Sequence, residues 1–554
     1  MTRKASILSI VLLFVLAPAF SQKKNKDNVI GKTEDEIKMI SAQQSYFAGD
    51  YVKALNLYKE VLKDKPNDAG ILFHIGQVYY DMQQFEDAQE NLEKAETIDP
   101  KANSELIYYL GMTHQAMGNV DKAKEEYEEF KKDLNNDSKG NKNYEIDFKI
   151  EQCNTAKDLM AHPVDVTVAN EGDAINSSYD DKGPSITADG KTLYFTSRRP
   201  QGKSGQDVDK EGDRKYFDDI YTAKWDDSKN AWGEAELVKG TVNTEYHDAC
   251  LSISPDGKQI FIYRNDPGEG HGGEIFVSKV QQSGKWSAPK NIGKPINSSY
   301  VEIGACISSD GQRLFFCSER PGSGDQKGYG QSDIWMSTRI SKKEWGPPVN
   351  LGPDINTPMD EGGIFLDPDG KTLFFSSDGH NTMGGYDIFM TRYENGKWSK
   401  PVNLGYPINS VRDDKSFVLT TDNQWGYFDS NRPGGTGERD IYKVDMSRYH
   451  IMGDDKKDNG PKVAILKGTV IISESGQGTE AEVVIKDKET GAEVAKTTSS
   501  PEGEYFFTLP ADKKYIIEVE MKGYTKVSEE FLLASDKKGT ATLVKHLLLN
   551  KEKK

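Results

Sequence analysis

Between Asp165 and Met446 of this 554-residue chain, an Ile/Val-Asn-Ser/Thr step stands five times at 13 residues before an Asp-containing turn. The Asn residues are Asn176, Asn243, Asn297, Asn356 and Asn409, and the turn aspartates are Asp189, Asp256, Asp310, Asp369 and Asp422. Gly follows the first four aspartates and Asn423 follows the fifth. Trp232, Trp286, Trp345 and Trp398 each lie 11 residues before one of the last four Asn residues. A constant internal spacing inside units of 53 to 67 residues marks a repeat architecture.

Each unit reads as four short strands. An alternating run such as Cys306–Ser308 precedes the turn, and an apolar run such as Leu193–Thr196 or Leu314–Cys317 follows it. Asp-Gly between two such runs announces a hairpin with a type I′ turn. A Gly-rich loop then leads to a third strand opened by Asp219, Asp333, Asp387 or Asp440, and the Trp turn leads to a fourth such as Val349–Leu351. Four-stranded sheets repeated radially form propeller blades. The first unit starts at a fourth-strand-like segment, Val164–Ala169, and the fifth stops after its third strand. The leading strand then completes the last sheet and closes a five-bladed ring. A sixth blade stays open if one hides in Pro200–Lys215.

The chain is too long for one core. Residues 1–21 read as a secretory signal, with Arg3 and Lys4 before the apolar stretch Ile7–Phe20 and small residues at Ala19 and Ser21. The mature protein is therefore expected to be exported and soluble, without a transmembrane segment. Loss of Arg3 and Lys4 takes the formal charge from −17 to −19, which argues against nucleic acid as a partner. The four cysteines show no metal spacing; Cys250 and Cys306 read as buried small apolar residues.

Residues 36–162 form a helical domain. Ala54, Ala88 and Ala123 stand 34 and 35 apart, Tyr51, Phe85 and Val120 do likewise, and Pro66 precedes Pro100 by 34. These columns resemble tetratricopeptide repeats, about three of them, with a capping helix through Tyr144–Met160. The resemblance implies an α-solenoid with a concave surface for a partner segment; a purely structural cap is the alternative. Tyr46, His74, Gln77, Tyr80 and Tyr108 are the candidate partner-binding residues, with packing of Tyr46, Tyr80 and Tyr108 between helices as the competing assignment.

After a charged linker, His450–Asn459, short alternating strands return over residues 463–550 and suggest a small β-sandwich. Gly503–Leu509 with Tyr515 and Lys522–Tyr524 resembles the carboxypeptidase regulatory-like domain, a module that implies no peptidase activity. The three modules in this order make a multidomain α + β chain: signal 1–21, helical array 36–162, propeller 163–447 and sandwich 463–550. Together they resemble PorE-type envelope proteins of the Bacteroidota, and the propeller repeats resemble those of TolB. That resemblance implies a periplasmic protein associated with the outer membrane and with type IX secretion or gliding. The family pattern adds a C-terminal OmpA-like domain that binds peptidoglycan. The chain stops at Lys554 after the sandwich, so peptidoglycan binding is not part of the expectation.

No catalytic constellation is legible, neither a Gly-x-Ser-x-Gly elbow nor a His-Glu-x-x-His pair. No cofactor is implied, and the protein is expected not to be an enzyme. One set of acids recurs, eight residues before each turn aspartate: Asp181, Asp248, Glu302, Glu361 and Asp414. Their shared register puts them at one end of the propeller channel, where five carboxylates would attract a cation or a Lys/Arg-bearing segment. The competing assignment is structural: each acid caps backbone N–H groups or pairs with an arginine such as Arg199, Arg320 or Arg432. The leading function is a non-enzymatic scaffold whose partners are envelope proteins. A carbohydrate- or cation-binding propeller is the alternative, and a hydrolase with an unfamiliar site in the channel stands third.

Overall fold

The computed structural model describes residues 33–136, 145–200, 202, 208–209, 215–265, 273–281, 283–324, 326–341, 344–449, 463–535 and 541–552. The expected signal, the 450–459 linker and most of the 200–215 loop, the place left open for a sixth blade, lie outside the described residues. The chain divides into two compact units, one running to Ala161 and taking in Asp209–Lys215, the other comprising His162–Val208 and Tyr216–Lys554.

Among the described residues seven helices build the first unit: α1 (Glu34–Phe47), α2 (Tyr51–Asp64), α3 (Ala69–Asp81), α4 (Phe85–Ile98), α5 (Leu106–Ala116), α6 (Val120–Asn136) and α7 (Ile146–Ala161). Polar side chains cap the first three, where orphan N–H groups need acceptors. Thr33 and Glu36 form a capping box on α1, while Asp50 and Asp68 cap α2 and α3. Consecutive helices pack as hairpins, α1 with α2, α3 with α4 and α5 with α6. Close approach demands small residues at the crossings: a Cβ on Gly76 would sit 2.6 Å from Leu92, and one on Gly111 2.8 Å from the Tyr127 ring. The fully buried alanines Ala54, Ala88 and Ala123 serve the same end. The capping helix runs two residues later at its start than the periodicity predicts.

The second unit is β-rich. Its first sheet comprises Asp181–Ile186, Thr192–Ser197, Asp219–Asp226, Ala231–Trp232 and Glu236–Leu237. The second comprises His247–Ile253, Gln259–Asn265, Glu274–Lys279 and Lys290–Asn291. The third holds Glu302–Ile307, Arg313–Ser318, Asp333–Ser341, Glu344–Trp345 and Val349–Asn350. The fourth holds Glu361–Leu366, Thr372–Ser377, Asp387–Glu394, Lys397–Trp398 and Val402–Asn403. Asp414–Leu419, Trp425–Ser430 and Asp440–Asp445 make the fifth, and Thr167–Asn170 pairs antiparallel with its third strand, Val168 opposite Val444. The first strands touch one another in the order one to five, and the fifth touches the first.

Two local readings need correction. The Asp-containing turns are not two-residue type I′ loops: at the first, Gly190 takes a positive φ of 69° and Asp189 does not. Thr187 N–H bonds Thr192 O across a four-residue loop, and the Asp189 carboxylate accepts from Thr187 Oγ1 and Lys191 N–H. The aspartate is thus an Asx-turn former rather than a left-handed residue. The Trp turns are also more than connections in the first, third and fourth sheets, because the third strand runs long enough to pair with Trp232, Trp345 and Trp398.

Residues 463–533 and 542–549 form two further four-stranded sheets. Val463–Ile472 is central in one, and Glu482–Asp487 with Lys513–Glu520 in the other. Both contribute to one apolar core that includes Leu466, Val483, Phe507, Ile517 and Leu547.

Candidate functional site

In the helical unit, the faces of α1, α3 and α5 bring aromatic and polar side chains together. The Tyr46 hydroxyl donates to Asp81, with Tyr109 beside it. Gln77 Nε2 donates to the Tyr109 hydroxyl at 2.8 Å. The Tyr80 ring meets Tyr109 edge-on at 5.8 Å between centroids. Burial raises the hydroxyl pKa of Tyr46 and Tyr109, so both stay neutral, Tyr46 as the donor to Asp81 and Tyr109 as the acceptor from Gln77. Burial also raises the Asp81 carboxyl, and the Tyr46 hydroxyl opposes that shift.

Of the five candidates in this unit, Tyr46, Gln77 and Tyr80 therefore share one cluster. His74 stacks on Tyr58 at 5.3 Å and sits 3.4 Å from Gln77 Oε1, with its pKa lowered by burial. Tyr108 packs on Tyr127 and Phe130 of α6, the inter-helical placement, and burial pushes its hydroxyl up to about 12. Asp81 and Tyr109 went unnoticed in the sequence. The 34-residue period links Tyr80 to Tyr46, but it repeats neither Asp81 nor Tyr109.

In the β-rich unit, the recurring Asn explains its own recurrence. Each Asn amide forms a two-bond pair with the backbone of an Ile in the third strand of the preceding sheet. Asn243 accepts from Ile220 N–H at 2.8 Å and donates to Ile220 O at 3.1 Å. Asn297 pairs likewise with Ile275, Asn356 with Ile334, Asn409 with Ile388, and Asn176 with Ile441 of the fifth sheet. The side-chain amide stands in for an extra strand, and no other residue type of that size supplies both a donor and an acceptor in this geometry.

The recurring acids sit one step further along, fully buried at 0% exposure. Each accepts from the backbone N–H and hydroxyl of the Ser or Thr four residues earlier: Ser177, Thr244, Ser298, Thr357 and Ser410. In four sheets an arginine completes the shell. Arg199 reaches Asp181 at 2.7 Å, Arg264 reaches Asp248 at 2.6 Å, Arg320 reaches Glu302 at 3.1 Å and Arg432 reaches Asp414 at 2.5 Å. The same guanidiniums donate to a carbonyl of Ile175, Val242, Ile296 or Ile408 and lie over aromatic rings. Burial outweighs the arginine at Asp248 and Asp414, whose carboxyls are raised.

The fourth sheet departs from this pattern. His380 occupies the place of the arginine and donates from Nε2 to Ile355 O at 2.8 Å, between Phe375 and Phe389. Glu361 keeps its bonds to Thr357 and Ser377 but meets no guanidinium among the described residues. Burial pushes its carboxyl up to about 8, against those hydroxyl donors.

A cavity of about 160 Å³ lies among the five first strands. Its wall includes Leu251, Ile303, Ile364, Phe365 and Val418, with Lys182, Asp429 and Arg439 supplying charge, and none of the five recurring acids lines it. Asp429 Oδ1 accepts from Gly183 N–H at 3.0 Å, joining the fifth sheet to the first. Its Oδ2 has no hydrogen-bond partner among the described residues and lies 3.6 Å from Arg439; Ser252 Oγ likewise has none. Among the described residues no group of His, Cys, Asp and Glu is arranged to hold a metal. The four cysteines are buried and free.

Residues 48–90 and 105–133 each match a family model described as Tetratricopeptide repeat. The helical region thus carries tetratricopeptide repeats, a class of module that binds protein partners, and no catalytic family is among the matches. Solved structures similar to this region include the Sgt2 TPR domain from Aspergillus fumigatus, 23% identical over 24% of this chain and 84% of that one, at a TM-score of 0.21. The Arabidopsis OM64 TPR domain is 18% identical over 22% and 93%, at 0.19. The TPR2B domain of yeast Sti1, in complex with pHsp70, is 20% identical over 22% and 95%, at 0.20. No curated protein matches the chain. Among the described residues no helix is long and apolar enough to cross a membrane.

Proposed function

We propose that the protein is a non-enzymatic scaffold that joins envelope proteins, exported to the periplasm and associated with the outer membrane. The observation that carries this reading is the shared face of α1, α3 and α5, where Tyr46, Gln77, Tyr80 and Tyr109 offer rings and amides on a tetratricopeptide framework. Rigid aromatic side chains give large contact area at low entropy cost. The β-rich unit acts in this reading as a five-bladed propeller followed by a regulatory-like sandwich, a stiff platform of loops. Support for the ring comes from the cyclic contact of the five first strands and from Thr167–Asn170 completing the fifth sheet. Membership of the PorE-type group, and work in type IX secretion or gliding, rest on the order of modules.

The test is affinity capture from envelope extracts with the tagged mature protein, followed by residues 22–162 alone. Retention of the same outer-membrane or secretion components by both supports the scaffold reading. Capture by residues 163–554 and not by 22–162 moves the contact to the β-rich unit.

A second reading, a propeller that binds a cation or a carbohydrate, is favoured by one observation: Asp429 and Ser252 line the cavity, and among the described residues Asp429 Oδ2, 3.6 Å from Arg439, and Ser252 Oγ have no hydrogen-bond partner. A rise in melting temperature with calcium or with glycans, abolished by Asp429→Asn, would support it. Unchanged melting with every such ligand would remove it.

A further inference from the structure

Asp81 is a charged group of the helical face, and no cation among the described residues pairs with it. It closes α3 on the side that faces α1, half-buried, and accepts from the Tyr46 hydroxyl. The influences on its carboxyl are burial and that hydroxyl alone; no lysine, arginine or histidine among the described residues contributes. Elsewhere in the unit, acids of the helices do find cations, as Asp35 finds Lys65 and Glu93 finds Lys122. Around Asp81 the neighbours are rings. Tyr46 also contacts Tyr51 and Phe47, and Tyr109 contacts Phe73 and Tyr80. The hydroxyl of Tyr109 is already engaged by Gln77.

An anion kept partly from water beside aromatic faces is complementary to one class of group. A guanidinium or ammonium satisfies the free carboxylate capacity and gains from the negative faces of the rings. An acidic or purely apolar side chain would leave the carboxylate uncompensated and add its own desolvation cost.

We propose that the α1–α3–α5 face binds a partner segment through an arginine or lysine side chain seated on Asp81 between Tyr46 and Tyr109. This rests on the reading of that face as an interaction surface and names the chemistry of its partner. Specificity resides in the charge, while Gln77 and Tyr80 supply contacts that tolerate different flanking residues.

The test uses the full chain and fluorescent peptide pools, degenerate except for one central position fixed as Arg, Lys, norleucine or Glu. Binding is read by anisotropy. The expected result is about ten-fold tighter binding of the Arg and Lys pools than of the norleucine and Glu pools. Asp81→Asn should shrink that preference to about two-fold or less with the melting temperature unchanged. If the variant unfolds, the wild-type preference must instead weaken between about 50 mM and about 500 mM salt. Equal or tighter binding of the norleucine or Glu pools overturns the proposal while leaving an interaction surface of different chemistry. A salt-independent preference, or one retained by a folded Asp81→Asn protein, also overturns it. Binding of no pool overturns both this inference and the reading of the face as an interaction surface.

Discussion

The fourth sheet and its four companions solve one problem with different chemistry, and the difference separates what the repeat requires from what it tolerates. All five bury a carboxylate at the start of the first strand and give it a Ser or Thr hydroxyl with its backbone N–H. Four add an arginine that also ties down a loop carbonyl and stacks on rings. The fourth retains the tie to the carbonyl through His380 and omits the counter-charge. The loop bond and the aromatic packing are therefore what every sheet keeps. The ion pair is optional provided that the acid can hold a proton, as a carboxyl raised to about 8 does at neutral pH.

The sharpest way to break the comparison is to remove a guanidinium from a sheet that has one. Arg432→Ala strands Asp414, fully buried, without its cation and frees the carbonyls of Pro407 and Ile408. Loss of one partner of a buried pair costs roughly 3–5 kcal/mol. Urea unfolding of the full chain should show that loss in the transition belonging to the β-rich unit. A loss below about 1 kcal/mol would mean that the pair contributes no more than an exposed one.

A second test turns on protons. Glu361 has an ordinary pKa of 4.5 and a folded value near 8. Over that interval the folded chain keeps a proton that the unfolded chain releases, so its contribution to stability is full below pH 4.5 and falls as pH rises to 8. Glu361→Gln mimics the protonated form. The variant should match the wild type near pH 4 and exceed it above pH 8 by up to roughly 5 kcal/mol. Asp414→Asn should show no such gain, because Arg432 would lose its carboxylate. Parallel pH profiles for wild type and Glu361→Gln would show that Glu361 is ionised in the folded state.

The Asn clasp should be indifferent to which sheet carries it. Asn356→Ala and Asn409→Ala each orphan a buried N–H and a buried C=O, of Ile334 and Ile388 respectively. Each should cost roughly 2–4 kcal/mol, and the two costs should agree within about 1 kcal/mol. A large gap between them would show that the sheets differ in more than their acids.

Much of this framework is legible in the sequence, and the reason is periodicity. A residue that makes the same bond five times appears five times at fixed spacing, so Asn176 and its equivalents, the acids and the turn aspartates announce themselves before their partners are known. Arg264 shows the limit. It lies 16 residues after its acid, where Arg199, Arg320 and Arg432 lie 18 after theirs, and it reaches Asp248 through Nε rather than Nη2. The bulge that skips register within the first strand pair of each sheet is also silent, because backbone pairing leaves no side-chain signature. At Ser416 it even places a non-glycine residue at φ 57°, held by a bond from its N–H to Ser376 Oγ of the neighbouring sheet. On the helical face the strongest candidate, Asp81, occurs once. A group used once casts no repeat, and only the fold reveals that it lacks a cation.

The smallest expected effect returns to His380. Truncating it to Ala removes one bond to Ile355 O and the ring contacts with Phe375 and Phe389. It strands no ion, since the Glu361 carboxyl of the same sheet is raised to about 8 and carries its proton at pH 7. The cost should therefore be that of a hydrogen bond and a partly filled cavity, about 1–2 kcal/mol at pH 7, clearly below that of Arg432→Ala. The two variants measured side by side in urea at pH 7 test whether charge or packing sets the hierarchy. Equal losses would mean that the aromatic-lined slot matters more than the ion it holds, and the four arginines would then be chosen for their planar stacking rather than for their charge.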